Sequence, residues 1–244
     1  MNLVRDILRR LVCTLPTACI VCARSVNTTK NICRECLHDL PWIKTACSCC
    51  GEYSHLPLTN QVCTRCELAP PPFRFCKGIF RYEKPVNVML SGFKFNARFE
   101  AGFALGSQLA RHMHDYYLSH KSPDLLLPIP LHPNRLRERG YNQAAEIAKL
   151  AASACNIPLH RHLLIRERNT VPQTETGSAR NRLRNLQGAF RVAEVTELQN
   201  VKSIAIIDDV VTTMATIIAA TQALQSAGVE NVEIWCVARA SREL

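Results

Sequence analysis

The hydrophobic pattern of the C-terminal two thirds of the chain predicts alternating helices and strands. Apolar residues recur at helical spacing in three stretches, the first of which includes Phe99 and Phe103: residues 98–118, 141–155 and 216–226. Short continuous apolar runs predict four buried strands: residues 124–129, 163–165, 203–207 and 232–237. Strands separated by helices indicate a mostly parallel sheet with helices on both faces, so the pattern predicts an α/β fold.

The N-terminal part of the chain has few large apolar side chains and is marked by cysteines instead. Eleven of the thirteen cysteines lie between Cys13 and Cys76. Eight of them form two sets of paired Cys-x-x-Cys motifs: Cys19, Cys22, Cys33 and Cys36, then Cys47, Cys50, Cys63 and Cys66. Two residues between thiolates allow a tight turn to direct both sulfurs at one tetrahedral ion. The spacing therefore predicts a double zinc ribbon that binds two structural Zn²⁺ ions and depends on them for folding.

Three alternatives exist for these cysteines: a disulfide cluster, a redox role for the Cys-x-x-Cys pairs, and an iron–sulfur site, since four thiolates also suit iron. The first residues of the chain are broken by charges where a signal peptide would be apolar, so we expect a reducing compartment and metal ligation. Cys50 rather than Cys49 has the two-residue gap from Cys47, and it is assigned to the metal. Cys13 and Cys76 match no pair and are expected to be ordinary thiols.

The cysteine distribution also predicts two domains. Residues 1–76 are expected to form the double zinc ribbon and residues 77–244 the α/β domain, with the prolines at 70–72 as a stiff spacer. No apolar run reaches the roughly 18–20 residues that a membrane helix needs. We therefore expect a soluble, cytoplasmic protein without membrane insertion.

One segment combines carboxylates with a hydroxyl-rich turn. Asp208 and Asp209 follow a predicted strand, and Thr212, Thr213 and Thr216 lead into a predicted helix. Backbone N–H groups at a helix N-terminus bind phosphate, and adjacent carboxylates suit the vicinal hydroxyls of a sugar. The segment therefore predicts a site for a phosphorylated pentose at the carboxyl edge of the sheet. The alternative is that the two aspartates only cap the helix.

The same segment resembles the phosphoribosyl pyrophosphate (PRPP) motif of type I phosphoribosyltransferases. That motif usually has glycine where this chain has Met214, so we expect PRPP binding to survive and turnover to be weakened. Three further stretches are similar to those of the ComF family of competence proteins: residues 127–133, 135–143 and 170–190. With the two cysteine sets in front, the resemblance covers nearly the whole chain from Cys19 to Arg239.

The resemblance implies a type I phosphoribosyltransferase-like sheet behind the double zinc ribbon, and it assigns site residues. Asp208 and Asp209 are the expected catalytic residues and bind the ribose hydroxyls. Mg²⁺ accompanies PRPP, and residues 169–184 correspond to a mobile loop over the ribosyl centre. The remaining PRPP-binding residues are those of a pyrophosphate turn and of the 5′-phosphate loop: Leu131, His132, Arg135 and Arg139, then Thr212, Thr213, Ala215 and Thr216.

Arginines predict a second anionic partner. Residues 131–191 contain eleven basic and four acidic side chains. Most of the net charge of the chain, which is +10, therefore lies in this stretch. One polyphosphate ligand cannot use so many cations, so we assign part of them to DNA, with a solvated surface as the alternative. The residues assigned to DNA are Arg137, Arg180, Arg182 and Arg184.

The ComF resemblance implies a role in natural transformation. It implies binding of PRPP and of single-stranded DNA during DNA uptake, together with contacts to other DNA-uptake proteins. The alternative function is that of a catalytically active phosphoribosyltransferase acting on a purine-type acceptor.

Overall fold

The computed structural model describes residues 17–26, 31–54, 58, 61–168 and 188–241. Its strands in chain order are β1 (Thr17–Ala18), β2 (Ser25–Val26), β3 (Phe75–Arg81), β4 (Leu125–Pro128), β5 (Leu164–Arg166), β6 (Phe190–Val192), β7 (Ser203–Val211) and β8 (Asn231–Arg239). Its helices are α1 (Arg34–His38), α2 (Thr64–Leu68), α3 (Val86–Phe95), α4 (Phe99–Tyr117), α5 (Pro133–Arg139), α6 (Gln143–Cys155) and α7 (Ala215–Ser226), with a 3₁₀ helix at Val195–Leu198. Among these residues, no helix is long and apolar enough to span a lipid bilayer.

The central sheet has four strands, in the order β3-β8-β7-β4. Every neighbouring pair in it is parallel, with Pro128 opposite Ile207 and Asp208 opposite Cys236. Parallel strands end at the same edge, so the segments that follow β4 and β7 meet there. The predicted α/β parallel sheet is confirmed.

Helices cover both faces of this sheet. In β7, Ala205 and Ile207 belong to one apolar cluster, and Ile204 and Ile206 belong to the other, because successive side chains of a strand point to opposite faces. We call the side of Ala205 and Ile207 the first face and the other side the second face. Helices α4 and α6 pack against each other on the first face, and α7 covers the second.

Two features of the sheet differ from the sequence prediction. The apolar run at residues 163–165 does become a strand, but β5 pairs antiparallel with β6 in a separate two-stranded sheet. Its place in the parallel sheet is taken by β3, which no pattern predicted. A three-residue apolar run carries no information about its partner, and both Lys77 and Gly78 interrupt the apolar pattern of β3. The three predicted helices agree with α4, α6 and α7 within two residues.

The cysteine-rich segment packs directly on the sheet. Trp42 forms an antiparallel bridge with Phe80, and the N–H of Ile43 donates to the carbonyl of Ile79 at 3.0 Å, so this segment covers the outer edge of β3. The expected domain boundary after residue 76 falls inside β3, which begins at Phe75. The boundary stays a prediction, and we propose to move it to the proline spacer at residues 70–72.

Candidate functional site at the carboxyl edge of the sheet

Each predicted set of four cysteines is gathered around one point. Within each set, all four sulfur atoms lie within 4.8 Å of one another. The Sγ atoms of Cys22 and Cys33 are 3.8 Å apart, and those of Cys50 and Cys63 are 3.7 Å apart. A tetrahedral zinc site with Zn–S bonds of about 2.3 Å has sulfur–sulfur edges of about 3.8 Å. The donor sets therefore fit zinc, and Cys50 rather than Cys49 completes the second set.

Backbone N–H groups support the sulfur atoms in both sets. Cys33 N–H donates to Cys19 Sγ at 3.4 Å, and Cys63 N–H donates to Cys47 Sγ at 3.3 Å. Burial raises the pKa of these two thiols, but backbone hydrogen bonds outweigh it, so that the pKa of Cys19 is lowered to about 6 and that of Cys47 to about 7. Metal ligation requires the thiolate, so these contacts favour it. We refer to the two sets, with their surrounding residues, as ribbon 1 (residues 19–36) and ribbon 2 (residues 47–66).

Asp208 and Asp209 lie inside β7 rather than after it, because the strand continues to Val211. Both side chains are buried, with 8% and 7% of their surface exposed. By alternation along the strand, Asp208 lies toward the second face and Asp209 toward the first, yet the two carboxyl groups are close enough to interact with each other. Burial, together with the neighbouring Asp209, raises the pKa of the Asp208 carboxyl well above its usual value, and Asp208 Oδ1 accepts the N–H of Asp209 at 2.8 Å.

Asp209 is paired with a cation from α3. Lys94 Nζ lies 3.3 Å from Asp209 Oδ2, and the positive charge of Arg139 also acts on this carboxylate. Asp209 Oδ2 is buried, and its contact with Lys94 is an ion pair without hydrogen-bond geometry, so that no described residue donates a hydrogen bond to it. The ion pair offsets its charge, but its lone pairs remain available to a ligand hydroxyl.

The loop between β7 and α7 leads directly into the N-terminus of a helix. Met214, the N-cap of α7, adopts left-handed backbone angles with φ of 67°. The N–H groups of Thr212 and Met214 donate to no acceptor within the described part of the chain. Since the N-cap is Met214, the two aspartates do not cap the helix, and that alternative is removed. The predicted loop residues Thr213, Ala215 and Thr216 occupy this turn and the first turn of α7.

The predicted pyrophosphate turn lies at the same edge. Ile129 N–H donates to the carbonyl of Ile207 at 2.9 Å, so the chain leaves β4 beside the aspartate pair. Leu131 and His132 follow, and His132 caps α5 by accepting the N–H of Asn134 on Nδ1 at 3.2 Å. Helix α5 contains Arg135, Arg137 and Arg139. The structure therefore brings the residues assigned to PRPP to one edge of the sheet.

Arg239 is part of this edge and was missed by the sequence analysis. Its side chain is fully buried. It donates to the carbonyls of Val211, Thr212 and Ala240 at 3.0, 2.7 and 2.6 Å, and to the carbonyl of Cys50 at 3.2 Å. It also forms an ion pair with Glu52 at 2.8 Å. One arginine therefore connects ribbon 2 to the loop that begins at Val211.

The residues assigned to DNA divide into two groups. Arg137 is exposed on α5, where its Nη2 donates to Asn134 Oδ1 at 2.9 Å. Arg180, Arg182 and Arg184 lie outside the described residues, as does the segment 169–184 assigned to a mobile loop.

Comparison with known proteins supports the organisation seen here. The family "double zinc ribbon domain" matches residues 11–67. Competence protein F of Haemophilus influenzae is 30% identical over 228 residues, which are 91% of this chain and 96% of that protein. The DNA utilization protein YhgH of Escherichia coli K12 is 30% identical over 239 residues, 93% of this chain and 95% of that protein.

Solved structures give weaker similarity. The allosteric regulatory enzyme of purine biosynthesis aligns at 16% identity and a TM-score of 0.35, over 54% of this chain and 25% of that chain. A purine phosphoribosyltransferase from Pyrococcus horikoshii aligns at 16% identity and a TM-score of 0.32, over 55% of this chain and 71% of that chain. The fold assignment therefore rests on the parallel sheet and the ribbon match. From the sequence relatives, the chain belongs to the competence protein F family, with an N-terminal double zinc ribbon that provides two structural zinc sites.

Proposed function

We propose that this protein acts in DNA uptake during natural transformation, in the cytoplasm, by binding PRPP and single-stranded DNA. The names of its relatives, competence protein F and DNA utilization protein, support the process. The observation that supports the ligand is the buried pair Asp208 and Asp209, placed beside a helix N-terminus and several cations.

The edge of the sheet offers complementary groups for each part of PRPP. The carboxylates would accept hydrogen bonds from the 2′- and 3′-hydroxyls, for which Asp209 Oδ2 has capacity. The turn at Thr212–Thr216 would hold the 5′-phosphate through backbone N–H groups. Leu131 and His132, with Arg135 and Arg139, would hold the pyrophosphate together with Mg²⁺, whose charge neutralises it.

Met214 is compatible with phosphate binding at this loop. Its positive φ gives the loop a shape that glycine adopts without strain and that costs an ordinary residue about 1–2 kcal/mol. Its side chain is buried among the apolar residues of the second face, so it does not cover the turn. The phosphate cradle is therefore retained at the cost of strain in the loop.

Basic side chains support the DNA-binding part of the proposal. Arg137 is exposed next to the PRPP edge, and Arg180, Arg182 and Arg184 add charge to the same arginine-rich stretch. Contacts with phosphates release counterions, so the affinity for single-stranded DNA should fall steeply as salt is raised. An affinity that did not change with salt would contradict this assignment.

A calorimetric titration with PRPP and Mg²⁺ tests the ligand. Replacing both aspartates, Asp208→Asn with Asp209→Asn, should lower the affinity by about tenfold or more, because the negative charge of the pair, which strengthens its hydrogen bonds to hydroxyls, is lost. Glu230→Gln is the matched control, since this carboxylate is 60% exposed and pairs with Lys202 at the other end of β8. PRPP binding that is absent in the wild type, or unchanged in the double variant, would overturn the assignment.

An assay of pyrophosphate release distinguishes a protein that only binds PRPP from an active enzyme. Pyrophosphate release should stay at the background rate with PRPP and a panel of purine-type bases. Release that depends on one base and on the two aspartates would establish the alternative, an active phosphoribosyltransferase.

A further inference from the structure

Aromatic side chains are exposed where α3 ends and α4 begins, next in the chain to Lys94, which pairs with Asp209. Phe95 ends α3 and is 70% exposed, and Phe99 begins α4 and is 49% exposed. Phe103, one turn along α4, is 45% exposed. Phe99 and Phe103 share the helical apolar spacing of α4 with Leu105 and Leu109, but the two leucines are buried in the core and the two phenylalanines are not. Large aromatic side chains grouped on a surface indicate a binding site rather than a packing role.

The ring of Phe99 is held in place by other aromatic side chains. Tyr141 lies with its ring centroid 4.5 Å from that of Phe99, and its hydroxyl donates to the carbonyl of Phe93. The buried ring of Phe93 contacts both, with centroids 6.0 Å from Phe99 and 5.4 Å from Tyr141. Gly102 makes room for Phe93, because a Cβ there would lie 2.5 Å from that ring. We call Phe95, Phe99 and Tyr141 the aromatic platform.

Cations border the platform on the side of the PRPP edge. The Arg139 guanidinium lies 5.4 Å from the centre of the Phe95 ring, and its Nη1 donates to Gln143 Oε1 at 2.9 Å. Lys94 precedes Phe95 in α3 and pairs with Asp209. The platform therefore combines flat apolar surfaces with positive charge, which is the combination that stacks bases and neutralises phosphates.

We propose that the aromatic platform stacks the bases of single-stranded DNA as its backbone passes the arginines of α5. The inference deepens the proposed function and rests on its DNA-binding part. Single-stranded rather than double-stranded DNA fits the site, because duplex bases are already stacked inside the helix and do not offer their faces. The positive border favours a polyanion over an apolar protein surface.

A comparison of two oligonucleotides tests this proposal. One is an oligothymidylate of about twelve nucleotides, and the other is an abasic strand with the same number of phosphates. The test variant is Phe95→Leu with Phe99→Leu, which keeps apolar bulk but removes the two rings. The control is Leu118→Ala, which changes a side chain that is 74% exposed at the far end of α4. Fluorescence anisotropy at fixed salt measures the affinities.

The wild type should bind oligothymidylate about tenfold or more tightly than the abasic strand, because the abasic strand has no bases to stack on the rings. The double variant should lose that preference and keep its affinity for the abasic strand, and Leu118→Ala should behave as the wild type.

Equal binding of both strands by the wild type would overturn the platform while leaving DNA binding intact. Failure to bind either strand would reject the DNA-binding function itself. Sedimentation could also show that the wild type is a dimer and the double variant a monomer. A second copy of the chain would then cover the platform, and this result would also overturn the inference.

Discussion

The two zinc ribbons are attached to the sheet in different ways. Ribbon 1 is joined by apolar packing on the first face, where Cys19, Val26 and Cys33 belong to the same cluster as Phe80 and Met89. Ribbon 2 contributes Cys47, Cys50 and Cys66 to the cluster of the second face. It is also held by the buried arginine Arg239, which donates hydrogen bonds both to ribbon 2 and to the start of the loop between β7 and α7 (residues 211–216). We call these residues the ligand loop.

From this difference we expect the two ribbons to have different effects on the proposed PRPP site. Apolar packing stabilises ribbon 1 without fixing the position of any one loop. Among the described residues, ribbon 1 makes no hydrogen bond to residues 211–216. Ribbon 2 has a chain of contacts to that loop, from the carbonyl of Cys50 through Arg239 to the carbonyls of Val211 and Thr212. A loop strained at Met214 benefits from such support, because hydrogen bonds from a fixed side chain hold it in place.

The largest effect is expected for Arg239→Met. The change leaves the carboxylate of Glu52 and several carbonyls without their donor, so the free energy of unfolding should fall by about 3–5 kcal/mol. Urea unfolding measures it. Arg191→Met is the control, since Arg191 and Glu167 form an ion pair with both side chains about half exposed, and its effect should stay below about 1 kcal/mol. If the two changes lowered the free energy of unfolding equally, Arg239 would not be the residue that connects ribbon 2 to the loop after β7.

Gly51→Ala tests the close contact between ribbon 2 and the sheet. Gly51 has φ of +67°, and a Cβ there would lie 2.4 Å from the carbonyl oxygen of Cys76. Gly140 also has a positive φ, of +78°, but a Cβ there would meet nothing within 4 Å. Both substitutions incur the backbone penalty, and overpacking should cost Gly51→Ala roughly 1–3 kcal/mol more than Gly140→Ala. Similar thermal unfolding of the two variants would contradict the tight contact.

Asp208→Asn tests the carboxylate that faces the side of ribbon 2. Because burial raises the folded-state pKa of Asp208, its charged form destabilises the fold above that pKa and the penalty disappears below the unfolded value of about 3.9. The variant should therefore be more stable than the wild type at pH 7, and the difference should vanish as the pH falls below about 4. Thermal unfolding across this pH range measures it, and a difference that is constant with pH would contradict the buried charge.

The smallest effect concerns the strain at Met214. Met214→Gly and Met214→Ala both remove the buried side chain, so their comparison isolates the backbone. The glycine variant should be more stable by about 1 kcal/mol, because only glycine adopts φ of 67° without strain. The midpoints of urea unfolding decide between them, and an alanine variant of equal or greater stability would show that the loop is unstrained.

The parts of this site that could be predicted from the sequence are those encoded locally. Zinc ligation follows from the spacing of cysteines within single turns, and the loop after β7 is one continuous segment. Lys94 and Arg239 could not be predicted, because each acts on a residue far away in the sequence, Asp209 and Glu52 respectively. The same reason explains β3, whose partner β8 lies at the other end of the chain. Local patterns identify segments, whereas partners across the sheet depend on the folded topology.

The most direct test compares one cysteine from each ribbon. Cys47→Ser and Cys19→Ser should each lose one of the two zinc ions, which metal analysis verifies, and the PRPP affinity of both is then measured by calorimetry. Cys47→Ser should weaken PRPP binding by about tenfold, within the usual range of coupling between linked sites, and Cys19→Ser should change it by less than about twofold. Equal losses in the two variants, or a larger loss in Cys19→Ser, would contradict the claim that ribbon 2 supports the ligand loop through Arg239.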